Sequence, residues 1–129
     1  MDAIIVPCTQ QKVWSADPKA PPTPARDAYT ASVFKAWRAF AESSGAPWFV
    51  LSTKYGLVTP DQPIPNYHVP ISEAESDPDF IATLRAQFRE HGLGEFDSLV
   101  VLDWERFQEI VKKVAAGSPA KVQLRKILY

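Results

Sequence analysis

A single cysteine, Cys8, leaves no partner for an intramolecular disulfide and rules out a cysteine-rich zinc site, as suits a reducing compartment. The only histidines, His68 and His91, stand far apart, and His91 falls at an expected helix end, so no metal centre is expected. Long apolar runs are missing too. The longest, such as Trp48–Leu51 and Leu99–Leu102, are strand-sized, well short of the roughly 18–20 residues that cross a membrane. The opening Met1-Asp2-Ala3-Ile4 carries an acid where a signal peptide is basic, and no small-residue cleavage site follows. The expectation is a cytoplasmic protein with no membrane partner. Neither a Walker lysine spacing nor a G-x-G-x-x-G run occurs, so P-loop and Rossmann-fingerprint binding are unsupported and no cofactor is expected.

What is present suits one domain over residues 1–129, with 46% apolar residues to fill one core. The formal net charge of −1 gives no ground for nonspecific nucleic-acid binding, but the charge is unevenly spread: +2 over residues 1–56, −7 over 57–108 and +4 over 109–129. Folding that gathers the two basic ends on one side would suit a phosphate-bearing partner; ordinary solvated faces are the alternative.

Ala3–Val6, Trp48–Leu51 and Ser98–Leu102 are continuous apolar runs rich in β-branched residues, as expected of strands buried on both faces. A Pro-rich stretch through Pro18, Pro21, Pro22 and Pro24 follows the first and cannot be helix. Thr23-Pro24 then resembles a helix start, with Phe34, Trp37, Phe40 and Ala41 at helical spacing up to Gly45. Beyond the second strand and another Pro-rich loop, Ser76-Asp77-Pro78-Asp79 predicts a serine-capped helix with Phe80, Ile81, Leu84 and Phe88 on its apolar stripe. Asp103 is expected to cap a third helix whose core stripe is Trp104, Phe107, Ile110, Val111 and Val114. Lys121–Tyr129 is left as a fourth strand or a short helix. The order predicts a three-layer α/β sandwich: a short, mainly parallel sheet of three or four strands with helices on both faces.

In such a sheet ligands bind beyond the carboxyl ends of the strands. That edge receives Cys8, Thr9, Gln10, Gln11 and Lys12 after the first strand. It receives Ser52, Lys54, Tyr55 and Gly56 after the second, with Asp61 and Tyr67 further on, and Asp103 after the third. Ammonium groups with hydroxyls and turn amides can hold phosphate, and a neighbouring aromatic ring can stack on a base, so the expected partner is a nucleotide or nucleic acid. Each has a plainer role open to it: Cys8 as a small buried hydrophobe, Asp103 as a cap, Lys54 as a solvated loop residue, Asp61 and Tyr67 as turn residues.

These residues, together with Ala28-Tyr29-Thr30-Ala31-Ser32-Val33-Phe34 and Leu51-Ser52-Thr53-Lys54-Tyr55-Gly56-Leu57-Val58…Pro60-Asp61, resemble a bacterial and phage family of unassigned function. Its pattern runs C-S-x-x-K, A-x-x-L-Y-x-x-x-x-F, then L-S-A-K-[YH]-G-L-x-x-P-D. The resemblance covers the chain to about residue 70 and adds Tyr29 and Ser32 to the candidate binding residues. Thr9, Ala28 and Thr53 depart mildly from the pattern. That family is distantly similar to the uracil-DNA glycosylase superfamily and to accessory domains of archaeal tRNA-guanine transglycosylase-like proteins. The similarity implies a site addressing a nucleobase on a sugar, although the glycosylase signature motifs themselves are absent.

The expected activity is a nucleobase-directed N-glycosidase or transglycosidase. Asp61, or Asp103, serves as general base or oxocarbenium stabiliser, Lys12 and Lys54 hold phosphate, Tyr55 or Tyr67 stacks, and Gln10 or Gln11 reads the base edge. Cys8 as nucleophile or redox thiol is a further possibility. The rival is a non-catalytic nucleotide- or nucleic-acid-binding module that partners a modifying enzyme.

Overall fold

The computed structural model describes residues 1–127. Strand β1 (Asp2–Pro7) runs into a loop holding a single helical turn, α1 (Val13–Ala16), then a two-residue strand β2 (Thr23–Pro24) and a short helix α2 (Ala25–Ala28). Helix α3 (Ser32–Ser44) leads to β3 (Trp48–Ser52), β4 (Gly56–Val58) and β5 (Pro63–Ile64). Helices α4 (Ile71–Glu75) and α5 (Pro78–Glu90), a 3₁₀ turn (Leu93–Glu95), β6 (Ser98–Leu102), α6 (Glu105–Ala115) and β7 (Lys121–Arg125) complete the order.

The central sheet has five strands in the order β4-β3-β1-β6-β7, and every pairing is parallel except β3 with β4. The continuous apolar runs end up where their composition requires: every residue of β3 and β6 is buried, as are Ala3–Pro7 of β1. Because the chain moves from β1 to β3 and then back across β1 to β6, right-handed crossovers put α3 on one face and α5 and α6 on the other. The result is a three-layer α/β sandwich. Phe34, Trp37 and Ala41 of α3 and Phe80, Leu84 and Phe88 of α5 are buried against it, each large side chain contributing about 1.5–3 kcal/mol.

Four local expectations are corrected. The first helix does not begin at Thr23-Pro24. Those residues pair as β2 with β5, and the chain breaks at Tyr29 before α3 starts at Ser32. The cap of α5 is Asp77, whose carboxylate accepts from the Asp79 N–H at 2.9 Å, and not Ser76. Asp103 does not cap α6: its φ is +59°, and Trp104 precedes the first helical residue. The loop expected after β3 contains β4, which turns back antiparallel and gives the sheet a fifth strand beyond the expected three or four. The tail is a strand: β7 pairs with β6 from Lys121 to Arg125, while Leu128 and Tyr129 lie outside the described residues. Among the described residues no helix is long and apolar enough to cross a membrane.

Candidate functional site

The register places Ile4 of β1 opposite both Trp48 of β3 and Val100 of β6, so all three strands finish at one edge. The crevice between β1 and β6 is the switch point, since the chain leaves β1 toward α3 on one face and leaves β6 toward α6 on the other. A cavity of about 670 Å³ opens there, inside the roughly 300–1,000 Å³ range of small-molecule sites.

Its walls come from three segments, with four further residues at the rim. The loop after β1 supplies Cys8 to Lys12, and the turn after β6 with the first turn of α6 supplies Asp103 to Phe107. The stretch before α4, with the first residue of that helix, supplies His68, Val69, Pro70 and Ile71. Thr53, Ala31, Val33 and Lys126 close the rim. Cations and amides thus share the cavity with an apolar wall.

The β1 loop is rigid by its own hydrogen bonds. Thr9 Oγ1 donates to the Gln11 carbonyl at 3.2 Å, Lys12 pairs with Tyr29 across an isolated antiparallel bridge, and the Lys12 N–H donates to Ser15 Oγ at 3.1 Å. Gln10 and Gln11 remain exposed. Lys12 is buried, its Nζ donating to the Gln10 carbonyl at 3.2 Å and lying 4.6 Å from the Tyr67 ring centre. Cys8 is buried with Sγ 3.9 Å from Thr53 Oγ1, and burial pushes its thiol above the ordinary range, so it is protonated at neutral pH.

Asp103 faces the protein as well as the cavity. Its Oδ2 accepts from Trp37 Nε1 at 2.5 Å and its Oδ1 from the Ile127 N–H at 2.8 Å, while its carbonyl accepts from Lys126 Nζ at 2.7 Å. A carboxylate with both oxygens committed holds the edge together. Glu105, one turn into the cavity wall, is exposed and enters no ion pair among the described residues. Arg106 is bound by Glu75 through two of its nitrogens, and Trp104 presents an indole that is 40% exposed and packs edge-on against Trp37.

Cys8, Thr9, Gln10, Gln11, Lys12 and Asp103 are therefore brought together as the sequence predicts. Tyr29 and Tyr67 do not line the cavity; they lie beneath it as a buried pair with hydroxyls 2.5 Å apart, and burial raises both phenols far above their ordinary range. Ser52, fully buried, accepts from the Lys54 and Tyr55 N–H groups at 3.2 and 3.0 Å and so shapes the β3–β4 turn. Lys54 is exposed, 5.5 Å from the ring of Tyr55, and Gly56 fits against Gln87. Ser32 is the exposed first residue of α3. Asp61 lies outside the cavity, exposed and paired with Arg26 at 2.7 Å.

The residues that sequence reasoning missed are His68 to Ile71, Glu105, Arg106 and Lys126, and Trp104 was expected in the core. The first turn after a strand at the carboxyl edge is itself a signal, and it covers Trp104 to Phe107. Nothing local marks His68 or Lys126.

Residues 3–127 match the model of a family of unknown function, DUF6884. The chain belongs to this family. As a DUF6884 protein it is 31% identical over 111 residues to the uncharacterized protein YfjM of Bacillus subtilis (strain 168), an alignment covering 85% of this chain and 74% of that one. No solved structure matches it.

Proposed function

We propose that this DUF6884 protein is a nucleobase-directed N-glycosidase that takes a base, its sugar and its phosphate into the cavity at the β1–β6 switch point. The observation that carries the reading is the composition of that one cavity. Two exposed amides, Gln10 and Gln11, can read a base edge, the exposed Trp104 indole can stack, and Lys126 and Arg106 stand at the rim for phosphate. Glu105 is the unpaired carboxylate for the water or the oxocarbenium centre, a role that neither the fully hydrogen-bonded Asp103 nor the distant Asp61 is placed to take. The distant similarity of the sequence pattern to the uracil-DNA glycosylase superfamily supports the same reaction class, and the lone buried cysteine fits a cytoplasmic setting.

The test is incubation with a panel of modified nucleosides and oligonucleotides, with chromatographic detection of free base. Release that Glu105→Gln abolishes without unfolding is the expected result. Release unaffected by Glu105→Gln removes Glu105 from the reaction.

The full engagement of Asp103 favours a second reading, a non-catalytic module that binds the same ligands. Binding that falls steeply with salt, without any released base, is its signature.

A further inference from the structure

The cavity floor holds a primary amine whose charge has little to stabilise it. Lys12 is 6% exposed, yet it borders the cavity. It belongs to none of the ion pairs among the described residues, and the one hydrogen bond that its Nζ makes among them goes to a neutral carbonyl, that of Gln10. Cys8 of its own loop and Tyr67, from the stretch between β5 and α4, lie against it, Tyr29 pairs with its backbone, and His68, Asp103, Glu105 and Lys126 line the same cavity. Burial keeps Cys8, Tyr67 and Tyr29 protonated and neutral. The Tyr67 ring face offers a weak attraction, and desolvation by burial lowers the ammonium below the ordinary lysine range. The backbone at Lys12 is fixed by the bridge to Tyr29 and by the two hydrogen bonds it exchanges with Ser15, at 3.1 and 2.9 Å, so the stem of the side chain starts from a set position.

We infer that Lys12 is an imine-forming nucleophile that captures the C1 aldehyde of an open-chain sugar phosphate, the sugar that loss of a base leaves behind. The identity of the sugar rests on the glycosidase reading; the reactivity of the amine does not. In the step, the Nζ lone pair forms the C–N bond and the carbonyl π pair moves to oxygen. One N–H proton and one proton from solvent are then taken up by that oxygen, which leaves as a single water molecule, so that C=O is exchanged for a protonated C=N. A desolvated lysine suits this chemistry because burial lowers its pKa, so at any given pH more of it is free amine than of an exposed lysine.

The full chain is incubated with sodium cyanoborohydride and either ribose 5-phosphate or an oligonucleotide bearing an aldehydic abasic sugar, and adducts are mapped by peptide mass spectrometry. The expected product is a reduced adduct on Lys12, formed faster than any adduct on exposed Lys19 or Lys54. Lys12→Met, which keeps the hydrocarbon stem, loses the adduct while retaining the circular dichroism of the fold. Adducts spread over the exposed lysines, with Lys12 no faster than they are, overturn the inference on the unaltered protein, whatever the variant does. The two readings separate cleanly: adduct on Lys12 without base release removes the glycosidase and leaves the amine, and base release without the adduct does the reverse.

Discussion

At the scale of single residues, the buried phenol pair and the buried amine make opposite demands on pH. Tyr67→Phe leaves the Tyr29 hydroxyl without its 2.5 Å partner, at a cost of about 1–3 kcal/mol in urea unfolding. Because burial raises both phenols, the folded state holds their protons more tightly than the unfolded chain does. The stability they contribute is present below the ordinary tyrosine range, near pH ~10, and is lost as pH rises beyond it. For Lys12 the sign reverses: the unfolded chain binds the proton more tightly, so native stability rises with pH up to the ordinary lysine value of about 10.4. Lys12→Met is accordingly expected to gain stability over the wild type at neutral pH, and the gain shrinks as pH approaches that value, as parallel denaturation curves would show. The Cys8 to Lys12 segment was legible in sequence because a polar run directly after a continuous apolar strand has only the strand's carboxyl edge to occupy. Asp61 was not, since its partner Arg26 comes from α2 and no local pattern announces that pairing. Trp104 misleads for a related reason: it keeps the helical spacing of a core stripe but lies one residue before α6 begins, where the chain overhangs the cavity.

At the scale of elements, two small devices hold the site edge in place. The first is Gln87 of α5, which donates from Nε2 to the Tyr55 carbonyl at 2.9 Å and accepts the Leu57 N–H at 2.8 Å, tying the β3–β4 turn to the helix. Gly56 sits between them with φ +78°, and a Cβ there would meet Gln87 Oε1 at 2.1 Å. Gly56→Ala is expected to cost more than about 1 kcal/mol from backbone strain alone and to break both hydrogen bonds, visible as lost amide exchange protection at Leu57. The second device is Asp103, whose left-handed backbone turns its carboxylate toward Trp37 and Ile127. Asp103→Ala should lower stability by about 3 kcal/mol, since two donors lose a charged acceptor, and should loosen the tail beyond β7 in the same measurement. The strands and long helices could be foreseen from apolar runs and helical periodicity. β4 could not, because three residues show too little alternation and the turn before it lacks an Asn-Gly or Asp-Gly signature.

At the scale of the whole molecule, the N-terminal strand is the middle of the sheet, flanked by β3 on one side and β6 on the other. A chain ending at Gly94 would lack β6, α6 and β7, leaving one side of β1 without a partner and α5 without the helix it packs against. Such a fragment is expected to melt without a cooperative transition in calorimetry, whereas the full chain should give one sharp transition. The fold class was legible because strand and helix patterns alternate; the strand order was not, since nothing in β1 itself says that its second partner arrives some ninety residues later. On the ribosome, this order means that β1 emerges well before β6 and waits with one hydrogen-bonding edge open until β6 has been synthesised. The amine and the amides of the β1 loop are thus kept apart from the carboxylates that follow β6 until that strand has left the exit tunnel, so a partly made chain carries no complete cavity.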